Sequence, residues 1–201
     1  MKVNLKRNIT LKSGAFSQRN TEIPTTEPTP SVTKWFDFYD EPSEMPWSGR
    51  LEIDIPEFPD VTFRWYPEKV EAVTENETTP LYHGMPIWNT YFCDLTGDGL
   101  PELCSTYTFG SGIIDSRIIV YDYANGVSYE LSDRGNHDFT LRFDEESGRL
   151  WVDKKIYHSD ELVSSGYLVF ADGCLQVAEN SFDSLDAAIK CHFGPLPQRR
   201  F

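Results

Sequence analysis

The chain has 201 residues, 39% hydrophobic and 14% aromatic. That is enough for one domain with a bulky core, and it excludes global disorder. Eighteen basic against 32 acidic side chains give a net charge of −14, which argues against nucleic acid as the partner of the main body. No apolar run approaches the roughly 18 residues of a membrane-spanning helix.

The first residues, MKVNLKRNITLKSGAF, begin with positive charge but lack the apolar centre of an export signal, so no signal peptide is expected in this chain. Residues 1–20 hold Lys2, Lys6, Arg7, Lys12 and Arg19 and no acid, and the remaining 181 residues carry −19. A basic arm on an acidic body reads first as a solvated leader, and second as a contact for anionic lipid or RNA. Residues 21–31, TEIPTTEPTPS, form a Thr/Pro/Glu linker with an extended, solvated composition. Residues 1–34 are therefore expected to be a disordered arm and linker.

From Trp35 the hydrophobic period is two. Val61, Phe63 and Trp65 alternate with Thr62, Arg64 and Tyr66, and Phe139, Leu141 and Phe143 alternate with Thr140, Arg142 and Asp144. Further strands are expected at Leu51–Ile55, Ile87–Cys93, Glu102–Phe109, Arg117–Tyr123, Val127–Leu131, Leu150–Lys154, Leu162–Phe170 and Cys174–Ala178. Asn125-Gly126, Glu145–Arg149 and Ala171–Gly173 supply hairpin chemistry between them. The fold class is all-β over residues 35–179, an antiparallel meander, sandwich or partial barrel. After Asn180 the pattern predicts one short helix capped by Ser181 or Ser184, then a tail, over 180–201. No repeat of 20–50 residues is visible.

Four cysteines, Cys93, Cys104, Cys174 and Cys191, form no CxxC pair, which excludes a zinc ribbon. Cys93 and Cys104 bracket one short loop. Free thiols and a bridge worth roughly 3 kcal/mol both remain open for them.

That loop holds the sharpest motif, Asp94-Leu95-Thr96-Gly97-Asp98-Gly99-Leu100-Pro101-Glu102. Calcium takes six to eight oxygens from a tight loop. Asp94, Thr96 and Asp98 at alternate positions, the Leu100 carbonyl and the Glu102 carboxylate supply such a set, and Gly97 and Gly99 allow the turn. The expected ion is a structural calcium. Ser105 stands where an EF-hand has its twelfth-position Glu, and strands flank the loop. The pattern resembles the calcium loops of FG-GAP and VCBS-type repeats, D-x-[DN]-G-D-G-x-x-[DE], with Thr96 in place of the usual Asp or Asn. The competing reading is an Asp/Gly turn without metal.

A wider resemblance surrounds the loop. From Phe58 to Phe170, through FPDVTFRWYPEKVEAVTENETTPLY, DLTGDGLPELCS and VDKKIYHSDELVSSGYLVF, the chain is similar to a domain of clostridial BlaR1-like regulators. In those regulators it accompanies an M56 metallopeptidase and lies outside the membrane. The resemblance implies a non-enzymatic sensory or ligand-binding accessory domain, placed extracytoplasmically, whose partner is a cell-envelope ligand or a protein. The peptidase itself needs HExxH, and His83, His137, His158 and His192 are scattered. A penicillin-binding sensor needs Ser-x-x-Lys with Ser-x-Asn and Lys-Thr-Gly. Ser31-Val32-Thr33-Lys34 matches only the first, by chance on this reading.

The aromatics Trp35, Phe36, Phe38, Tyr39, Trp47, Trp65 and Trp88 read as core before they read as a sugar or peptide platform. Phe109-Gly110-Ser111-Gly112 reads as a flexible turn. Two alternatives stand beside the accessory domain. One is a hydrolase or carbohydrate-active enzyme using carboxylates such as Asp54 with Glu57, or Asp144 with Glu145 and Glu146. The other is a detached cytoplasmic fragment without activity of its own.

Overall fold

The computed structural model describes residues 31–179. The expected basic arm and most of its linker, and the expected C-terminal helix, lie outside the described residues. Within them the protein is all-β: thirteen strands in three antiparallel sheets, plus one 3-10 turn at Pro42–Glu44. No described helix is long and apolar enough to cross a membrane.

The middle sheet joins β1 (Val32–Asp37), β6 (Ile87–Cys93), β7 (Glu102–Phe109), β8 (Asp115–Asp122) and β9 (Val127–Leu131) in that order. A second sheet is the meander β2 (Leu51–Asp54), β3 (Thr62–Tyr66), β4 (Lys69–Val73) and β5 (Thr78–His83). The third is the meander β10 (His137–Asp144), β11 (Arg149–Ile156), β12 (Leu162–Ala171) and β13 (Cys174–Glu179).

Two cores explain the stacking. Phe36, Ile87, Phe92, Leu103 and Tyr107 of the middle sheet pack with Phe63, Trp65, Val70, Ala72 and Tyr82 of the second sheet. Tyr91, Cys93, Cys104, Ile118 and Val120, pointing the other way, pack with Phe139, Leu141, Leu150, Val152, Leu168 and Leu175 of the third. Successive side chains of a strand face opposite sides, so β6 and β7 serve both cores at once. Their near-continuous burial follows. Each such apolar side chain contributes about 1.5–3 kcal/mol when fully buried. The open choice among meander, sandwich and partial barrel resolves as a three-layer stack of open sheets.

The third sheet is also tied to the middle one by polar groups. β10 pairs only with β11, so alternate backbone groups along its free edge need other partners. Leu141 finds them in side chains. Its amide donates to Thr106 Oγ1 at 2.7 Å, and its carbonyl accepts from Asn89 Nδ2 at 2.6 Å. Asn89 Oδ1 in turn accepts the Thr106 amide at 2.7 Å, and all three residues are buried.

Three expectations need correction. The first strand begins at Val32, inside the stretch expected to be linker, where Val32, Thr33 and Lys34 pair with Cys93, Phe92 and Tyr91. The β4 and β5 strands were not expected at all. β4 hides its period behind Lys69 and Glu71, which pair at 2.5 Å and let Glu71 be buried. β5 carries Pro80, which is tolerated because the strand is a sheet edge and Pro80 sits at a register shift. Of the expected turns, Ala171–Gly173 holds a two-residue hairpin loop with positive φ at Asp172 (53°) and Gly173 (78°). The Asn125-Gly126 hairpin is longer than two residues. Its Asn125 amide and side chain both donate to Asp122, at 2.9 and 2.7 Å.

Candidate metal centre between β6 and β7

The Asp94–Glu102 loop joins the two central strands of the middle sheet, so both cores hold its ends. Cys93 pairs with Glu102 across the base. The loop is built by its own carboxylates. Asp94 accepts the Gly97 amide on Oδ1 at 2.7 Å and the Gly99 amide on Oδ2 at 3.0 Å. Asp98 Oδ1 accepts the Leu100 amide at 2.9 Å. Glu102 reaches back to accept the Leu95 amide (2.7 Å) and, more weakly, the Thr96 amide (3.4 Å) on Oε2, and the Thr96 hydroxyl on Oε1 at 2.7 Å. Gly97 and Gly99 hold φ of 78° and 90°, the left-handed region that the tight turn requires.

Of the five expected ligands, the structure brings three together. One carboxylate oxygen each from Asp94, Asp98 and Glu102 lie within 4.8 Å of one another. Thr96 joins them through its bond to Glu102, and Leu100 meets the cluster through its amide on Asp98. Asp94 is half-buried, Asp98 exposed and Glu102 only 1% exposed. Burial pushes the Glu102 carboxyl above its ordinary range, the Thr96 and Leu95 hydrogen bonds pull it back, and the Asp94 charge adds to the rise.

The donor set fits a hard divalent cation. It is all oxygen, and each carboxylate offers about four lone-pair sites. Asp94 uses two of these within the loop, Glu102 three and Asp98 one, so acceptors remain on every member. Three gathered carboxylates repel one another, and a divalent charge among them relieves that repulsion. Asp94, Asp98 and Glu102 would hold the ion, with the Thr96 hydroxyl alongside.

Cys93 and Cys104 are free thiols and both are buried. Cys93 sits opposite Glu102 and Cys104 opposite Tyr91, so the two are diagonal rather than paired. The aromatics read as core divide. Phe36 and Trp65 are buried, Trp35, Phe38 and Trp88 pack against them, and Trp47 is 61% exposed. What sequence reasoning missed is the strength of the Glu102 role. Its backward reach over Leu95 and Thr96 makes it the closing strut of the loop, where the motif's spacing marks it only as a ligand. A second missed feature is a cluster of Arg142, Trp151 and Tyr167 on the outer face of the third sheet, visible only once strand register is known.

No family model, curated protein or solved structure matches the chain.

Proposed function

We propose that the chain is a non-enzymatic, ligand-binding accessory domain of a bacterial BlaR1-like signalling system, acting outside the membrane, with a structural calcium ion held by the Asp94–Glu102 loop. The observation that carries the metal reading is the convergence of Asp94, Asp98 and Glu102 within 4.8 Å at the end of the central hairpin. An ion there ties the end of β6 to the start of β7 and neutralises carboxylates in a body with 28 acidic and ten basic side chains over residues 31–179. No chemistry is asked of it. Because β6 and β7 contribute to both cores, stiffening their junction stiffens the sheets that flank them.

The signalling context is supported by the resemblance over Phe58–Phe170, which runs from the turn before β3 into β12. The ligand in this reading is a cell-envelope component or a protein surface met by the sheet faces and loops.

The test is calorimetric titration of the purified chain with calcium and, separately, magnesium. One calcium per chain, weaker magnesium and loss of binding in Asp98→Ala are expected. Absence of calcium binding, or equal binding in Asp98→Ala, overturns the metal reading. For the signalling context, a neighbouring reading frame encoding membrane helices and HExxH is expected, and its consistent absence counts against that context.

A further inference from the structure

The outer face of the third sheet carries a hollow of about 520 Å³ bounded by Arg142, Asp144, Glu146, Ser147, Trp151 and Tyr167. Register assembles it. Arg142 of β10 lies opposite Trp151 of β11, and Trp151 opposite Tyr167 of β12, which sets three side chains in one row. Their strand neighbours Leu141, Leu150, Val152 and Leu168 point the other way into the core. Trp151 and Tyr167 are thus outward-facing and half-buried.

The walls are held in place before any ligand arrives. The Trp151 and Tyr167 rings meet edge to face, 4.7 Å apart at 88°. Asp153 fixes two members at once: it accepts the Trp151 indole N–H at 3.1 Å and the Arg142 guanidinium at 3.2 Å. Arg142 also lies 5.2 Å from the Trp151 ring centre. On the opposite side Asp144 accepts the amide and hydroxyl of Ser147, which shapes the β10–β11 turn and leaves Glu146 exposed at the rim.

We infer that this hollow binds a neutral saccharide. A sugar ring has an apolar C–H face and a rim of hydroxyls, each both donor and acceptor. The exposed parts of the half-buried Trp151 and Tyr167 rings, beside the guanidiniums of Arg142 and Arg149 that lie over them, suit the first. The Arg142 fork and the Asp144 and Glu146 carboxylates suit the second. Other ligand classes match less well. A purely apolar molecule strands the charged groups. A polyanion meets Asp144, Glu146 and the acidic body. A cation meets Arg142 and also Arg149, whose guanidinium lies 4.3 Å from the Tyr167 ring centre. The volume falls within the usual range of small-ligand sites. This inference deepens the ligand-binding reading above and rests on it, but makes no use of the calcium loop.

The test is an amide and indole NMR titration of the full chain with chitotetraose, cellotetraose and maltotetraose in turn. Saturable movement of the Trp151 indole and of the residue 144–151 amides is expected with at least one of them. Glu146→Gln, an exposed change that leaves the fold intact, should weaken binding roughly tenfold. Trp151→Ala should abolish it, while Trp47→Ala leaves it unchanged. No saturable movement with any of the three sugars overturns the assignment. So does binding that survives both Glu146→Gln and Trp151→Ala. A calcium response retained alongside a failed sugar titration removes the saccharide alone, whereas sugar binding without a calcium response removes only the metal.

Discussion

Replacing Asn89 by alanine should be among the most damaging single changes in the domain, although Asn89 touches no candidate ligand. Its side chain answers two buried backbone groups, the Thr106 amide at 2.7 Å and the Leu141 carbonyl at 2.6 Å. Asn89, Thr106 and Leu141 are all within 1% of full burial, so solvent does not replace the lost partners easily. Each orphaned buried group costs about 1–3 kcal/mol, giving a loss of about 2–6 kcal/mol, against a total of about 5–15 kcal/mol for a typical domain. Thr106→Val removes only the acceptor of the Leu141 amide and should cost about 1–3 kcal/mol. Because both side chains act on the Leu141 backbone, the cost of the double variant should depart from the sum of the two. Equilibrium urea unfolding, read as a midpoint change at constant slope, measures all three. A loss below about 1 kcal/mol for Asn89→Ala would refute the view that this clamp holds the third sheet to the middle one.

Other expectations follow from single sites. Burial, reinforced by the Glu102 and Asp94 charges, pushes the Cys93 thiol up to about 12, and burial raises Cys104 as well; alkylation mapped by mass spectrometry at mildly alkaline pH should therefore find Cys174 modified well before either, and equal rates would contradict the packing. Gly97→Ala should cost about 1–2 kcal/mol, since its backbone is left-handed but a Cβ there meets nothing within 4 Å. Gly110→Ala should cost clearly more in the same urea assay, because its Cβ would lie 1.8 Å from the Ile113 carbonyl oxygen; equal losses would count against the drawn β7–β8 turn. Hydrogen bonds from Asn136 and His137 hold the Asp133 carboxyl below its ordinary value. A depressed carboxyl contributes stability above its unfolded value that is lost as pH falls through the folded one, so Asp133→Asn should flatten the acid limb of a stability–pH curve, and an unchanged limb would contradict that bond network.

The middle and third sheets, with β2 and β3 of the second, were largely legible. Val61–Tyr66 and Phe139–Asp144 alternate cleanly because each has one face on a core and one outward. Ile87–Cys93 and Glu102–Phe109 do not alternate, yet were still readable as strands from their β-branched and aromatic content between turn signals. Their near-continuous burial takes in Asn89, Thr90, Glu102, Ser105 and Thr106, and it becomes interpretable only with the sheets on either side in view. β4 and β5 were illegible for local reasons: a buried Glu71 whose Lys69 partner sits two residues away, and a Pro80 that only an edge position excuses. The loop ligands Asp94, Asp98 and Glu102 could be read from spacing, since Gly-permitted turns bring alternate residues to one side. The Arg142–Trp151–Tyr167 row could not. Those residues are 9 and 16 positions apart along the chain, and nothing short of strand register makes them neighbours.

The central claim is that the Asp94–Glu102 loop binds calcium and thereby stabilises the domain. The most direct measurement is a thermal melt of the full chain in chelator and across a calcium titration, with Asp98→Ala run in parallel. An ion that binds only the native state adds about 2.7 kcal/mol at a hundredfold excess over Kd. The account predicts a saturable rise in midpoint for the native sequence and none for Asp98→Ala. A midpoint indifferent to calcium, or one raised equally in Asp98→Ala, would contradict it and leave the loop as a turn closed by its own carboxylates.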